Sequence, residues 1–283
     1  MVFGLPAYLW LPILFIFGVI IGSFLNVVIC RLHTGKSLNG HSHCLSCGHS
    51  LAWYELFPLL SYACLWGRCS YCRAYIPVRY LTVELLTGLA FLLVWSYTND
   101  VVVLVLLAAF VSVLMVITVY DLYHMIIPNE LVVALGALSF GLIGYQNFSN
   151  LVPILTQSIL AGTLASASFG SLWLYSKGRW IGLGDAKLAF PLGMLVGISQ
   201  IFSLIVLSFW TGAIISLIII GFQEILSRGQ KHLRFLPRTL KMKSEIPFAP
   251  FLIGAFLLVF FCSVDVLDLT ASITTHLYGY FTF

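Results

Sequence analysis

No charged side chain interrupts residues 1–30, 101–120, 131–176, 188–223 or 246–264 of this chain. A hydrocarbon core roughly 30 Å thick is crossed by about 20 consecutive apolar residues of α-helix, so each of these stretches is long enough for one or two crossings. With 60% hydrophobic and 8% charged residues, a water-soluble domain is excluded. The runs do not alternate apolar and polar residues, which argues against a closed β-barrel. An all-α polytopic membrane protein of about eight passes is expected. The passes are Tyr8–Ile29, a span between Glu84 and Asp100, Val101–Tyr120, two within Leu131–Ser176, two within Leu188–Gln223, and Ile246–Val264. The polar segments Gln146–Asn150 and Ser199–Gln200 mark the two internal breaks. The first stretch is too long and too poorly flanked for a cleaved signal peptide and reads as a retained helix.

All 14 Lys and Arg residues fall in loops one, five and seven. Alternate counting puts those loops on one face, which the positive-inside rule makes cytoplasmic, with both termini external. The net charge of +4 therefore requires no nucleic acid; the basic seventh loop reads as a topology anchor beside anionic headgroups. The expected organisation is a first helix (1–30), a cytoplasmic loop (31–80) and a seven-helix core (81–283).

Four of the seven cysteines form two Cys-x-x-Cys pairs, Cys44 with Cys47 and Cys69 with Cys72. Each short turn aims two thiolates at one point, so the pairs can converge on one tetrahedral Zn²⁺. Two disulfides are the alternative, disfavoured in a reducing cytoplasm. With four thiolates the shell is full and leaves no place for water, which makes the ion structural. Arg68 and Arg73 are placed to offset the negative charge of such a centre, and His41, His43 and His49 are expected at the surface. Cys30, Cys64 and Cys262 stand alone in apolar surroundings and read as packed small hydrophobes.

Acidic residues are scarce, ten in all, and an ionisable group at a membrane boundary is a functional candidate because its desolvation is costly. Asp121 ends the third span, seven positions before Pro128, which breaks the helix, and Asn129, which can cap the next. Asp185 follows Gly182 and Gly184, whose missing side chains allow close approach of backbone or substrate. Lys187 is placed to help hold that carboxylate ionised. Two carboxyls sharing one proton can hydrolyse a peptide, one activating water and the other polarising the carbonyl. Taken singly, each is also a plain interfacial helix-end residue.

In four separated places the chain resembles the type IV prepilin peptidases, a family of Gly-x-Gly-Asp membrane proteases. These are Gly22–Ile29 followed by Arg31-Leu32, the Cys44–Glu84 loop, the Asp-x6-Pro element from Asp121, and Gly182–Leu188. The segment Ile246–Phe251 is also similar, with Ala249 where the family usually has Gly. The resemblance implies that Asp121 and Asp185 are the catalytic pair and that the four cysteines bind zinc. It further implies substrates that are type IV prepilins or secretion pseudopilins, cleaved after a leader Gly at the bacterial inner membrane. N-methylation of the new N-terminus from S-adenosylmethionine is implied by the family alone, since no cofactor fingerprint is present. The chain departs from the family at Tyr123, often a second Asp, and at Asn129, often acidic. Asn26 is a polar oddity in the first helix that reads first as a packing residue paired with Gly22. A proton-coupled transporter using boundary carboxylates and a membrane methyltransferase without protease activity are the rival readings. The first predicts internal repeats and an interrupted mid-membrane helix, and the sequence offers neither.

Overall fold

A computed structural model of the chain describes residues 7–34, 37, 40, 42–44, 46–228 and 247–268. Lys36, His41, Ile246 and the basic run from Lys231 to Lys243 lie outside them. Among the described residues the chain forms α-helices joined by loops, with no strand beyond two isolated bridges, His43 to Ser50 and Arg68 to Tyr75. The helices are α1 (Ala7–Arg31), α2 (Leu60–Cys64), α3 (Arg79–Tyr97), α4 (Val101–His124), α5 (Asn129–Gln146), α6 (Leu151–Ser176), α7 (Leu183–Val196), α8 (Ile201–Arg228) and α9 (Ala249–Cys262).

Five helices are long and apolar enough to cross a bilayer: α1, α3, α4, α6 and α8. The other three expected passes are present as helices but shorter. Asn129 and Glu130 make the first turn of α5 polar, while α7 and α9 have 14 residues each. At 1.5 Å per residue such a helix reaches about 21 Å. Gly197, at φ 80°, stops α7. The expected breaks fall where the polar segments stand, as short 3-10 turns at Phe148–Asn150 and Ile198–Gln200. Phe17 and Ile20 of α1 and Leu217 and Ile218 of α8 are exposed, an apolar surface that belongs against lipid rather than water.

Two compact units emerge. The first comprises Met1–Tyr120 with Phe140–Gln146, and the second Asp121–Ser139 with Asn147–Phe283. In the first, α1 packs on α3 through a seam of small residues. A Cβ on Gly22 would sit 2.8 Å from the Glu84 Cα, and one on Gly18 would sit 2.9 Å from the Gly88 Cα. Lipid offers no hydrophobic drive for two helices to associate, so close backbone packing through such positions supplies it. The second unit repeats the device between α6 and α7, where a Cβ on Gly162 would meet the Phe190 carbonyl oxygen at 2.7 Å. There Phe169, Phe209 and Phe248 form a ring cluster with centroids 5.3–6.0 Å apart. Leu188, Leu192, Leu252 and Phe256 are fully buried beside it.

Candidate functional site

Asp121 lies in the last turn of α4, whose end is closed by the Met125 N–H donating to the Asp121 carbonyl at 2.8 Å. Met125 takes φ 53°, a left-handed turn that stops the helix and starts the short run to Pro128. Asp185 is the third residue of α7. Its Oδ2 accepts the Gly182 N–H at 3.1 Å, capping the helix start with its own carboxylate. Both aspartates belong to the second unit and both are buried, 5% and 6% exposed. They are near enough for the charge of Asp121 to act on Asp185. The first amide of α9, at Ala249, reaches the Asp121 carboxyl, while Asp121 Oδ2 has no hydrogen-bond partner among the described residues. Three chain segments remote in sequence thus meet at the two carboxyls.

The glycines of the tetrad have distinct surroundings. A Cβ on Gly182 would lie 3.3 Å from Asp185 Oδ2, inside the space the carboxylate uses. One on Gly184 would lie 3.2–3.3 Å from three side-chain atoms of Ile127. Gly184 therefore lets the Asp121–Pro128 segment pack against the start of α7. Lys187 donates from Nζ to Asn129 Oδ1 at 3.0 Å, so its amine ties α7 to the first residue of α5. The expected support of the Asp185 carboxylate by this ammonium is not the bond it makes, and the Asn129 side chain expected as a cap is engaged by the lysine.

In the first unit the two cysteine pairs form matching knuckles. Gly48 N donates to Cys44 O at 2.9 Å and Arg73 N to Cys69 O at 3.0 Å. Gly48 and Arg73 each follow the second cysteine of a pair in the left-handed region, at φ 72° and 59°. All four sulfurs lie within 4.8 Å of one another, and Cys44 and Cys72 are 3.8 Å apart. A disulfide needs about 2.05 Å, whereas a tetrahedral metal with thiolate bonds near 2.3 Å separates its ligands by roughly 3.8 Å. The donor set fits a metal. Amides of Cys47 and Ser46 donate to the Cys44 sulfur and draw its pKa down to about 6, favouring the thiolate a metal needs. His43 and His49 are exposed, and His49 stacks on Tyr71 at 4.9 Å. Arg68 bonds the Tyr75 hydroxyl at 2.8 Å and lies over that ring. Of the lone cysteines, Cys64 and Cys262 are exposed rather than packed. Cys30 is half-buried, and its sulfur accepts from Arg79 Nη2 at 3.0 Å.

Reasoning from spacing passes over three further residues of this unit. Glu55 accepts from the Ala52 amide at 2.8 Å and from the Ser70 hydroxyl, joining the two halves of the cysteine loop; the Ser70 bond, then the Ala52 bond, hold it below the usual carboxylate range. Glu84, 8% exposed on α3, accepts the Leu59 N–H at 2.8 Å, where Leu59 makes a left-handed turn at φ 58°. Asn26, 2% exposed, donates to the Tyr80 carbonyl at 3.1 Å, so it bonds the start of α3 as well as packing. A buried glutamate on an apolar helix was the available signal for Glu84; nothing in the sequence shows its partner.

Family models match the chain in two places: the bacterial peptidase A24 N-terminal domain over residues 16–98 and the type IV leader peptidase family over residues 108–217. A prepilin leader peptidase/N-methyltransferase of Vibrio cholerae is 32% identical over 270 residues, covering 90% of this chain and 97% of that protein. One of Myxococcus xanthus is 34% identical over 232 residues, 77% of this chain and 66% of that protein. A type 4 prepilin-like proteins leader peptide-processing enzyme of Escherichia coli is 35% identical over 212 residues, 64% of this chain and 74% of that protein. No solved structure matches.

Proposed function

As the chain belongs to the type IV leader peptidase family, we propose that it is a membrane aspartic endopeptidase that removes the short basic leader of type IV prepilins or pseudopilins after a Gly and N-methylates the new terminus. The observation that carries the reading is the pair of buried, electrostatically coupled carboxyls at the ends of two helices. Family membership sets the transporter reading aside.

The carboxyls titrate as a pair because like charges so close cannot both ionise in a buried site. One takes a proton from water, whose oxygen attacks the scissile carbonyl carbon; the other donates a hydrogen bond to the carbonyl oxygen as negative charge builds there. Collapse of the tetrahedral intermediate breaks the C–N bond, and the leaving amine takes up a proton from the pair. Gly182 and Gly184 keep the approach to Asp185 free of side chains, and Lys187 fixes α7 to α5 through Asn129.

The enzyme sits in the bacterial inner membrane with the cysteine loop and the aspartates on the cytoplasmic face and both termini external. A pilin-type substrate brings its scissile bond to that boundary, so no buried helix has to unwind. Of the three segments, residues 1–30 form the anchoring first helix, 31–80 the zinc loop, and 81–283 the core that carries both aspartates. The ion at Cys44, Cys47, Cys69 and Cys72 is a structural Zn²⁺, since the four thiolates complete a tetrahedral shell. S-adenosylmethionine supplies an electrophilic methyl: the amine lone pair forms a C–N bond as the C–S bond breaks to a thioether, and the product ammonium sheds a proton. The methyltransferase half of the relatives' printed names supports this second activity.

Purified protein incubated with a prepilin tests the first activity. Asp121→Ala and Asp185→Ala are each expected to abolish leader removal; full processing by either variant would remove the aspartyl mechanism.

A further inference from the structure

Within the first unit a cavity of about 440 Å³ opens between the cysteine loop, the C-terminal end of α1 and the N-terminal end of α3. Its size falls in the roughly 300–1,000 Å³ range of small-ligand sites. Apolar residues of the loop and of both helices make much of the wall, but the polar groups carry the information. Asn26 and Glu84 face it from neighbouring helices, and Glu55, Arg31 and Tyr62 line it too.

Asn26 is the first telling group. Its Nδ2 is spent on the Tyr80 carbonyl, while Oδ1 is buried with no hydrogen-bond partner among the described residues. A buried amide oxygen left so costs about 1–3 kcal/mol, which a ligand N–H donor would recover. Glu84 is the second. It brings a carboxylate to the same cavity from a helix that is otherwise apolar, and a carboxylate buried there calls for a cation. Cys44 and Cys69 also line the space, and four thiolates around one divalent ion add net negative charge. The chemistry therefore selects a small cationic ligand rich in N–H donors. Arg31 can meet a ligand carboxylate, and the tyrosine rings offer flat faces to a heterocycle. A lipid tail would leave the Asn26 acceptor unmet and set Glu84 against hydrocarbon.

We propose that this cavity binds the methyl donor, S-adenosylmethionine, with Asn26 Oδ1 and Glu84 holding its cationic amino-acid end. The assignment rests on the methyltransferase reading above and goes beyond it by placing the cofactor on α1 and α3, away from the aspartate pair's own unit. Cys30 lines the same cavity and serves as an internal reporter.

The test uses full-length protein in lipid nanodiscs with its zinc in place. Titration calorimetry measures S-adenosylmethionine and S-adenosylhomocysteine binding, and mass spectrometry follows iodoacetamide modification of Cys30. Either ligand is expected to protect Cys30 in the unmutated protein. Asn26→Leu and Glu84→Gln are each expected to weaken binding about tenfold or more with zinc content unchanged. Glu84→Gln keeps an acceptor for the Leu59 amide, so a purely structural role for Glu84 would leave affinity intact. Binding that survives both substitutions, with Cys30 unprotected, would place the donor elsewhere and leave the methyltransferase reading standing. Protection of Cys30 by phospholipid but not by the nucleosides would give the cavity to lipid and overturn the assignment. Absence of both binding and methylation in the unmutated protein would sink the methyltransferase reading itself.

Discussion

Gly184→Ala is the smallest change that presses on the coupling between the two aspartates. The new Cβ would stand 3.2 Å from Ile127 Cβ and 3.3 Å from its Cγ1 and Cδ1, against about 3.5–4.0 Å for an unstrained carbon contact. Ile127 lies between Met125 and Pro128, in the connection that runs out from Asp121, so it has to yield by a few tenths of an ångström or push α7 away. Such overpacking costs about 1–3 kcal/mol. If that cost is felt as misalignment of Asp185, at 1.36 kcal/mol per tenfold, kcat/KM for prepilin cleavage falls by roughly 5- to 150-fold. Ile127→Ala removes two of the three contacts and is expected to restore a large part of the loss when combined with Gly184→Ala. The assay is leader removal by purified enzyme, followed by mass spectrometry over a substrate series. Cleavage by Gly184→Ala within twofold of the unmutated rate would refute the steric reasoning, as would a double variant no better than the single.

Other consequences are as direct. Cys44→Ser is expected to strip the bound metal from about one zinc per chain toward none and to lower the thermal midpoint, read by elemental analysis and a melting scan; a metal-free unmutated protein would contradict it. Gly22→Leu places a side chain where the Glu84 backbone already stands, 2.8 Å away, and neither helix can retreat without opening the α1–α3 seam. Loss of folded yield in membranes is expected for Gly22→Leu, with little change for Gly141→Leu, where the added Cβ meets nothing within 4 Å. Asp100 caps α4, its Oδ1 accepting from Val102 and Val103 and its Oδ2 from the Tyr145 hydroxyl. The Val103 amide bond leads in holding its pKa below the ordinary value. A depressed carboxylate stabilises the fold above its unfolded pKa, about 3.9, and loses that contribution as pH falls through the folded pKa. The melting difference between unmutated protein and Asp100→Ala should therefore be full at pH 7 and close on acidification; a pH-independent difference would contradict the cap.

Much of the membrane scaffold was legible because desolvation leaves it no freedom: charge-free runs must be helices, and Gln146–Asn150 and Ser199–Gln200 had nowhere to be but at the ends. The thiol cluster was legible for the same kind of reason, since two Cys-x-x-Cys turns carry their own local geometry. The shortness of α7 and α9 was not, because the apolar runs continue past their ends while a left-handed Gly197 and the Phe248–Pro250 turn set where helix begins or stops. Contacts across long sequence gaps were equally hidden. Glu84 finds Leu59 only because a non-glycine residue adopts φ 58°, and Lys187 finds Asn129 only once α5 and α7 are in place. Asn26 looked like seam packing because its spacing from Gly22 is helical; its hydrogen bond to Tyr80 and its unmet oxygen appear only in three dimensions.

The central claim is that Asp121 and Asp185 work as one catalytic unit, and a double-substitution cycle on leader removal addresses it head on. Asp121→Asn and Asp185→Asn should each lower the rate by about four orders of magnitude, and the double variant by no more than either alone, as for groups acting as a unit. Losses that multiply in the double variant, or a single variant that still cleaves readily, would show two independent carboxyls and contradict the account.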